Sequence, residues 1–372
     1  MKEVKGERII QLFESFSPKY LAMDGDPIGL QIGSLRRPVK NIMITLDVLE
    51  AVVDEAVEKK VDLIICHHPP IFRPLTALKT DSGQGPIFEK LIKHDISVYA
   101  AHTNLDVAVG GVNDLLAEAL DLQDIKVLAP TYEKKMKKMV VFVPTTHAEK
   151  VRKALGDAGA GEMGNYSHTS FTSRGEGRFT PTEGSRPFIG ESGKSEIVNE
   201  VKIETIYHAK EEKRILQAML QAHPYEEIAY DLIPLDNPSE PMGLGRIGRL
   251  EAPKSLRDFS LHVKEKLGVE AVRVVGDLNE TINKVAVLGG DGNKYIHTAK
   301  YQGADVLVTG DLYFHTAHDS MMLGLHVVDP GHHVEKVMIE GVAEKLAALA
   351  SEQKLEVNII QSETDTNPFK FL

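Results

Sequence analysis

Residues 42–66 read IMITLDVLEAVVDEAVEKKVDLIIC, and residues 285–309 read VAVLGGDGNKYIHTAKYQGADVLVT. The two windows align without a gap, with Asp62 on Asp305. Each begins with an apolar run the length of a buried strand. Each continues through a helical stretch, which in the first copy sets Val52, Val53, Ala56 and Val57 on one face. Each ends in a second apolar run, Val61-Asp62-Leu63-Ile64-Ile65-Cys66 against Ala304-Asp305-Val306-Leu307-Val308-Thr309. Further on, Ser97-Val98-Tyr99-Ala100 matches His326-Val327-Val328-Asp329, and Asp106 then falls on Glu335. A strand–helix–strand pattern occurring twice predicts a repeated βαβ-type unit, and with it a two-lobed α/β fold whose sheets are largely parallel.

Around these windows lie an amphipathic stretch at 7–16, a helix at 85–94 and a strand at 96–100. The middle of the chain follows another rule. Strands are expected at 137–144, 167–179, 196–208 and 228–235, with helices at 147–158 and 211–222. That βαββαβ order is the pattern of a ferredoxin-like α+β domain. Residues 181–194, rich in Gly, Ser, Glu and Pro, predict a long mobile loop within it. Asp236-Asn237-Pro238-Ser239-Glu240-Pro241 has the composition of a linker. The expected division is a first lobe at 1–133, an inserted domain at 134–235 and a second lobe at 236–372.

Composition narrows the function classes. A length of 372 residues suits two or three domains, and 42% hydrophobic residues suffice for their cores. The net charge of −11 argues against nucleic-acid binding, which relies on Lys and Arg displacing counterions. The basic run at 134–138 reads as a solvated strand entry. No apolar run reaches membrane-spanning length, so no membrane partner is expected. The single cysteine, Cys66, excludes an intrachain disulfide and thiolate zinc clusters, and reads as a buried strand residue. The first residues lack a signal-peptide core, and the expected location is cytoplasmic.

Ligands of open α/β sheets collect beyond the carboxyl ends of strands, where loops converge. Three clusters fall at such ends: His67-His68, His102 with Asp106, and Gly331-His332-His333-Val334-Glu335. Imidazole nitrogen and carboxylate oxygen together suit zinc, manganese or iron. Adjacent histidines after a strand diverge, so they serve two neighbouring ions more easily than one. His332 and Glu335, three apart at an expected helix start, share a face; His333 points elsewhere. A lone histidine near a strand end is usually a surface or hydrogen-bonded residue. Three clusters at equivalent ends of a repeated unit favour a metal site.

Other motifs weigh less. Gly243-Leu244-Gly245-Arg246-Ile247-Gly248 satisfies G-x-G-x-x-G, but a Pro-rich linker precedes it and no helix opens within it. It reads as a glycine-rich turn, not a dinucleotide loop. Gly289-Gly290-Asp291-Gly292 is either a phosphate-holding loop or a tight turn. Thr309-Gly310-Asp311, with His315 and His318, falls opposite His67-His68 in the repeat. His102, Asp311 and His315 are the candidates for handling protons beside bound metal, the alternative being that such residues only orient the ligands through hydrogen bonds.

At these residues the chain resembles the Nif-three-like family, also named GTP cyclohydrolase I type 2 homologues. The resemblance rests on ICHHPPIF, AAHTNLDVAVGGVND, GLGRIGRL, VAVLGGDGNKYI, ADVLVTGD and VVDPGHHVEKVM, and runs through nearly all of 1–133 and 234–372. It implies a two-lobed α/β fold with a dinuclear metal site in a cleft. The implied ligands are His67, His68, Asp106, His332 and Glu335, the glutamate bridging. Some relatives space the last pair by four, which leaves His333 as the alternative to His332. The resemblance also implies two divalent ions per chain, a homohexameric ring, and, for residues 134–235 with their AHPYEE turn, a CutA- or PII-like insert. The expected function is metal-dependent hydrolysis of a small, nucleotide-class substrate. The alternative is a non-catalytic, metal-binding regulatory or chaperone-like protein whose insert senses a ligand.

Overall fold

The structure, a computed structural model, describes residues 3–237 and 241–372. Met1, Lys2 and the linker residues Pro238, Ser239 and Glu240 lie outside the described residues. Contacts divide the chain into two units, residues 1–132 with 241–372, and residues 133–240. No helix among the described residues is long and apolar enough to cross a membrane.

The strands, in chain order, are β1 (Gly29–Ile32), β2 (Asn41–Thr45), β3 (Leu63–Cys66), β4 (Ser97–Ala100) and β5 (Gln123–Tyr132). The second unit contributes β6 (Met136–Pro144), β7 (Phe171–Phe179), β8 (Glu196–His208) and β9 (Tyr230–Leu235). The first unit resumes with β10 (Met242–Ser255), β11 (Arg273–Val275), β12 (Thr281–Asp291), β13 (Val306–Gly310), β14 (His326–Asp329) and β15 (Asn358–Gln361).

The first unit carries two mixed sheets, ordered β1-β4-β3-β2-β15 and β11-β14-β13-β12-β10-β5. They repeat one design. Ile42 pairs with Leu63 across β2 and β3, and Val285 with Val306 across β12 and β13, both in parallel. Leu63 then pairs with Ser97, and Val306 with His326. An antiparallel strand, β1 or β11, flanks each set. The two aligned aspartates make the same bonds. Asp62 Oδ2 accepts from the amides of Lys40 (2.7 Å) and Asn41 (2.9 Å), and Asp305 Oδ2 from those of Asn283 (2.9 Å) and Lys284 (2.7 Å). Each carboxylate thus satisfies two main-chain donors at the start of the neighbouring strand.

Strands buried on both faces read as unbroken apolar runs. Ile42, Met43 and Ile44, Leu63 to Cys66, and Val306 to Val308 are all buried. One apolar cluster joins Ile44 and Ile65 of the first sheet to Val287 and Val308 of the second, through Phe13, Leu116, Phe259 and Met338 of intervening helices. Each such side chain contributes about 1.5–3 kcal/mol on full burial. A shared core holds the two sheets, and therefore their strand ends, in one arrangement.

The GLGRIGRL stretch lies inside β10, not in a turn. Its glycines serve close packing: a Cβ on Gly243 would lie 2.0 Å from the Ala129 carbonyl oxygen. Arg246 is buried there, paired with Asp114 and donating to the carbonyls of Gly243 and Gly245 at 2.9 Å. The Gly289–Gly292 segment is the end of β12, which runs through Asp291 with Gly290 at a left-handed φ of 64° and leads into the 3-10 helix Asn293–Tyr295.

In the second unit, β6 pairs with β8 and β9, and β8 with β7, all antiparallel, giving the order β7-β8-β6-β9. Helices Ala148–Asp157 and Glu212–Ala222 cover one face. Val151 and Leu155, and Ile215 and Met219, each a helical turn apart, pack on Val141, Val143, Ile203 and Tyr207. Residues 180–195 form no helix or strand.

Candidate metal centre

Six side chains from three chain segments converge at the strand ends of the first unit. His67 and His68 follow β3 directly. His102 precedes the short helix Thr103–Val107, and Asp106 lies within it. His332 and Glu335 open the turn of 3-10 helix His332–Lys336. Their ligand-type atoms form three overlapping groups: His67, His68 and His102; His68, His332 and Glu335; and His67, Asp106 and Glu335. Within each group these atoms lie within 4.8 Å of one another.

Four imidazoles are held in the same way. His67 Nδ1 faces the Ala101 carbonyl oxygen at 2.9 Å. His68 Nδ1 faces Asp47 Oδ1 at 2.7 Å, His102 Nδ1 faces Asp26 Oδ1 at 2.8 Å, and His332 Nδ1 faces Asp311 Oδ2 at 2.7 Å. An acceptor on Nδ1 fixes the tautomer that leaves Nε2 as a lone pair. Each ring therefore presents Nε2 to the centre. The carboxylates are themselves anchored. Asp26 accepts from the Thr103 amide at 2.9 Å, and Asp47 from the Thr366 hydroxyl at 2.5 Å.

Glu335 Oε2 sits in the middle, 3.0 Å from His68 Nε2, 3.1 Å from His332 Nε2 and 3.7 Å from His67 Nε2. Glycines make room for it. A Cβ on Gly289 or Gly290 would lie 2.9 Å from Glu335 Oε1, and one on Gly310 2.7 Å from the His332 amide nitrogen. His67 Nε2 and Asp106 Oδ1 face each other at 3.7 Å, both buried and without a hydrogen-bond partner. Orphaned buried acceptors are costly. Two lone pairs turned on one space are what a cation satisfies, so this donor set fits a metal.

Charge is redistributed across the cluster. Burial opposes a charged His68, but its bonds to Asp47 and Glu335 outweigh that and raise it to about 10. The Glu335 bond, against burial, raises His332 to about 9. Burial pushes Asp106 up to about 6, against the pull of His67. Burial also penalises the Glu335 carboxylate, yet His332 and His67 hold it well below the usual range. Without metal, protons occupy this network, and a bound cation must displace them.

The other expected residues divide. His102, read as a proton carrier, lies in a ligand-type group with His67 and His68. Asp311, also read as catalytic, is the acceptor on His332 and sits at a left-handed φ of 52°. His315 is exposed on the helix Phe314–Leu323 beside Phe314 and belongs to none of the groups. His333 turns to Thr366, its Nε2 3.3 Å from the hydroxyl. Cys66 is fully buried in β3, and burial pushes its thiol well up. Asp26 and Asp47 were not singled out from the sequence. Asp47 stands just beyond β2, as His67 does beyond β3, and the strand-end rule could have found it; Asp26 sits in an irregular loop that offers no such signal.

The pattern defining the family described as Duf34/NIF3 (NGG1p interacting factor 3) matches residues 4–368. A protein of Bacillus subtilis named GTP cyclohydrolase 1 type 2 homolog is 60% identical over 371 residues, covering 100% of both chains. A Staphylococcus aureus protein of the same name is 36% identical over 98% of this chain and 99% of its own. Among solved structures, a Bacillus cereus protein related to NIF3 superposes with a TM-score of 0.92 at 58% identity, covering 100% of both chains.

Proposed function

The chain belongs to the Duf34/NIF3 family, and on that premise we propose that it is a dinuclear metal protein that hydrolyses a small molecule of the nucleotide class. The observation that carries this is the facing pair His67 Nε2 and Asp106 Oδ1, buried and unpartnered. Three overlapping donor groups sharing His67, His68 and Glu335 exceed what one four-coordinate ion needs. His67, His68, Asp106, His332 and Glu335 would hold two ions, with His102 a sixth ligand and Glu335 between them. Zinc suits the nitrogen–oxygen set; manganese and iron are the alternatives. When bound, such ions supply electrophilic activation and a water acidic enough to ionise near neutral pH. Asp26, Asp47 and Asp311 keep the imidazoles oriented, and Asp311 acts through His332. His315 has no part in this reading.

We read the second unit as a ferredoxin-like insert akin to CutA and PII proteins, which its βαββαβ order and its β7-β8-β6-β9 sheet support. We read the protein as a cytoplasmic homohexamer, and the net charge of −11 supports a reading without a nucleic-acid partner. A regulatory, non-catalytic role remains the rival reading.

The test is a screen of the metal-loaded chain against nucleotides, GTP included, with metal content measured in parallel. Two equivalents of metal and product formation that chelation abolishes support the proposal. One ion or none after reconstitution overturns the dinuclear centre. Binding without turnover across the screen overturns the hydrolase. Glu335→Gln should reduce both metals, whereas His333→Ala should keep them.

A further inference from the structure

We infer that the second unit carries its own binding site for a flat nitrogen heterocycle of the guanine class, on the sheet face turned away from its helices. Val201 and Ile203 of β8 pack on the helices. Alternation along the strand sends Glu200 and Lys202 to the opposite face. There the residues paired with β8 are small: Gly175 lies against Glu200, Gly177 against Val198 and Ser173 against Lys202. A cavity of about 700 Å³ opens over this floor, roofed by the segment after β7 and by the turn before β9. Such a volume accommodates a nucleoside.

Its chemistry is specific. Phe142, Phe179, Pro181, Phe188 and Tyr225 supply apolar walls. The Phe179 and Phe188 rings lie 6.0 and 6.3 Å from that of Tyr225, so the walls are suited to gripping a planar ring. Glu200 at the floor is only 9% exposed. Among the described residues, its carboxylate accepts just the Tyr225 hydroxyl, at 3.0 Å on Oε1. A carboxylate has about four acceptor positions, so Oε2 and one side of Oε1 are left for a ligand. The complement is a ring carrying two adjacent N–H donors, as N1–H and the 2-amino group of guanine do. A bare guanidinium would match the carboxylate but leave the aromatic walls unfilled. Gly177 keeps the carboxylate in place, since a Cβ there would lie 2.3 Å from Glu200 Oε2.

The test is calorimetric titration of the full chain with guanosine, inosine and adenosine, with and without chelator. Guanosine should bind at least tenfold more tightly than inosine, which lacks the 2-amino group, and than adenosine. Chelator should leave that binding unchanged, which separates this site from the metal centre. Glu200→Gln and Gly177→Ala should each weaken guanosine at least tenfold while circular dichroism and melting stay as in the parent. Should Glu200→Gln fold poorly, Gly177→Ala decides, because its φ is open to any residue. No guanosine binding up to millimolar concentration overturns the inference. Equal affinity for the three nucleosides, or full affinity in Gly177→Ala, overturns it as well.

Discussion

Replacing Asp47 with Asn tests whether the carboxylates behind the histidines set metal affinity. Asp47 Oδ1 lies 2.7 Å from His68 Nδ1, and its Oδ2 accepts the Thr366 hydroxyl. The amide is nearly isosteric and still offers one oxygen, so packing is preserved. What goes is the negative charge that makes the imidazole a stronger donor to metal. Losing such an outer partner typically lowers affinity about 10–100-fold, or about 1.4–2.8 kcal/mol at roughly 1.4 kcal/mol per tenfold. The assay is competition for zinc against a chromophoric chelator at fixed pH and salt. Asp54→Asn is the control, since Asp54 is exposed and, among the described residues, bonds only Lys90. An Asp47→Asn affinity within twofold of the parent would refute the orienting role.

Other outcomes follow from the same geometry. Gly290→Ala places a methyl 2.9 Å from Glu335 Oε1 at a φ of 64°, and should cost metal content more than it costs melting temperature in the metal-free chain. Burial alone would raise Glu55, but bonds from Lys59, Thr364, Glu363 and Ser362 hold it down at about 2. A depressed folded pKa means its stabilisation is whole above the unfolded value of about 4.5 and is lost as pH falls through about 2. Protection of the amides at 362–364, taken relative to their unstructured exchange rate at each pH, should therefore fall across that window in the parent, and Glu55→Gln should flatten the dependence. Joining Glu133 to Asp236 through a short linker should leave a chain that still binds metal. Insoluble or metal-free product with several linker lengths would show that the second unit is needed by the first.

Much of the fold could be read because it is written twice. The windows at 42–66 and 285–309 align in sequence, and β2–β3 and β12–β13 keep the same register. Strand-end reasoning likewise singled out the clusters at 67–68, 102–106 and 331–335, whose convergence needs only that loops gather at one edge. It leaves open the roles that depend on direction. His102 and Asp311 stand at the same ends, yet one points Nε2 inward and the other turns its carboxylate onto His332. Spacing carries no information about that difference. The glycine motif at 243–248 misled for a similar reason. Its glycines answer to the neighbouring Ala129 carbonyl, which lies far away in the chain and cannot be seen from the motif.

The order in which the chain is made gives the divided centre a history. His67, His68, His102 and Asp106 leave the ribosome early, and strands β1 to β4 can form around them. His332 and Glu335 follow only after the whole of the second unit has been made. Domains fold as they emerge, but the core of the first unit draws Phe259 and Met338 from the later segment, so for that interval the early ligand-type residues wait for both their packing and their central carboxylate. On the proposed reading, a cation captured then would be held by one side alone and readily surrendered. By the same reading, firm retention would begin only when Glu335 arrives, and a chain broken off in its second lobe should fail to keep metal.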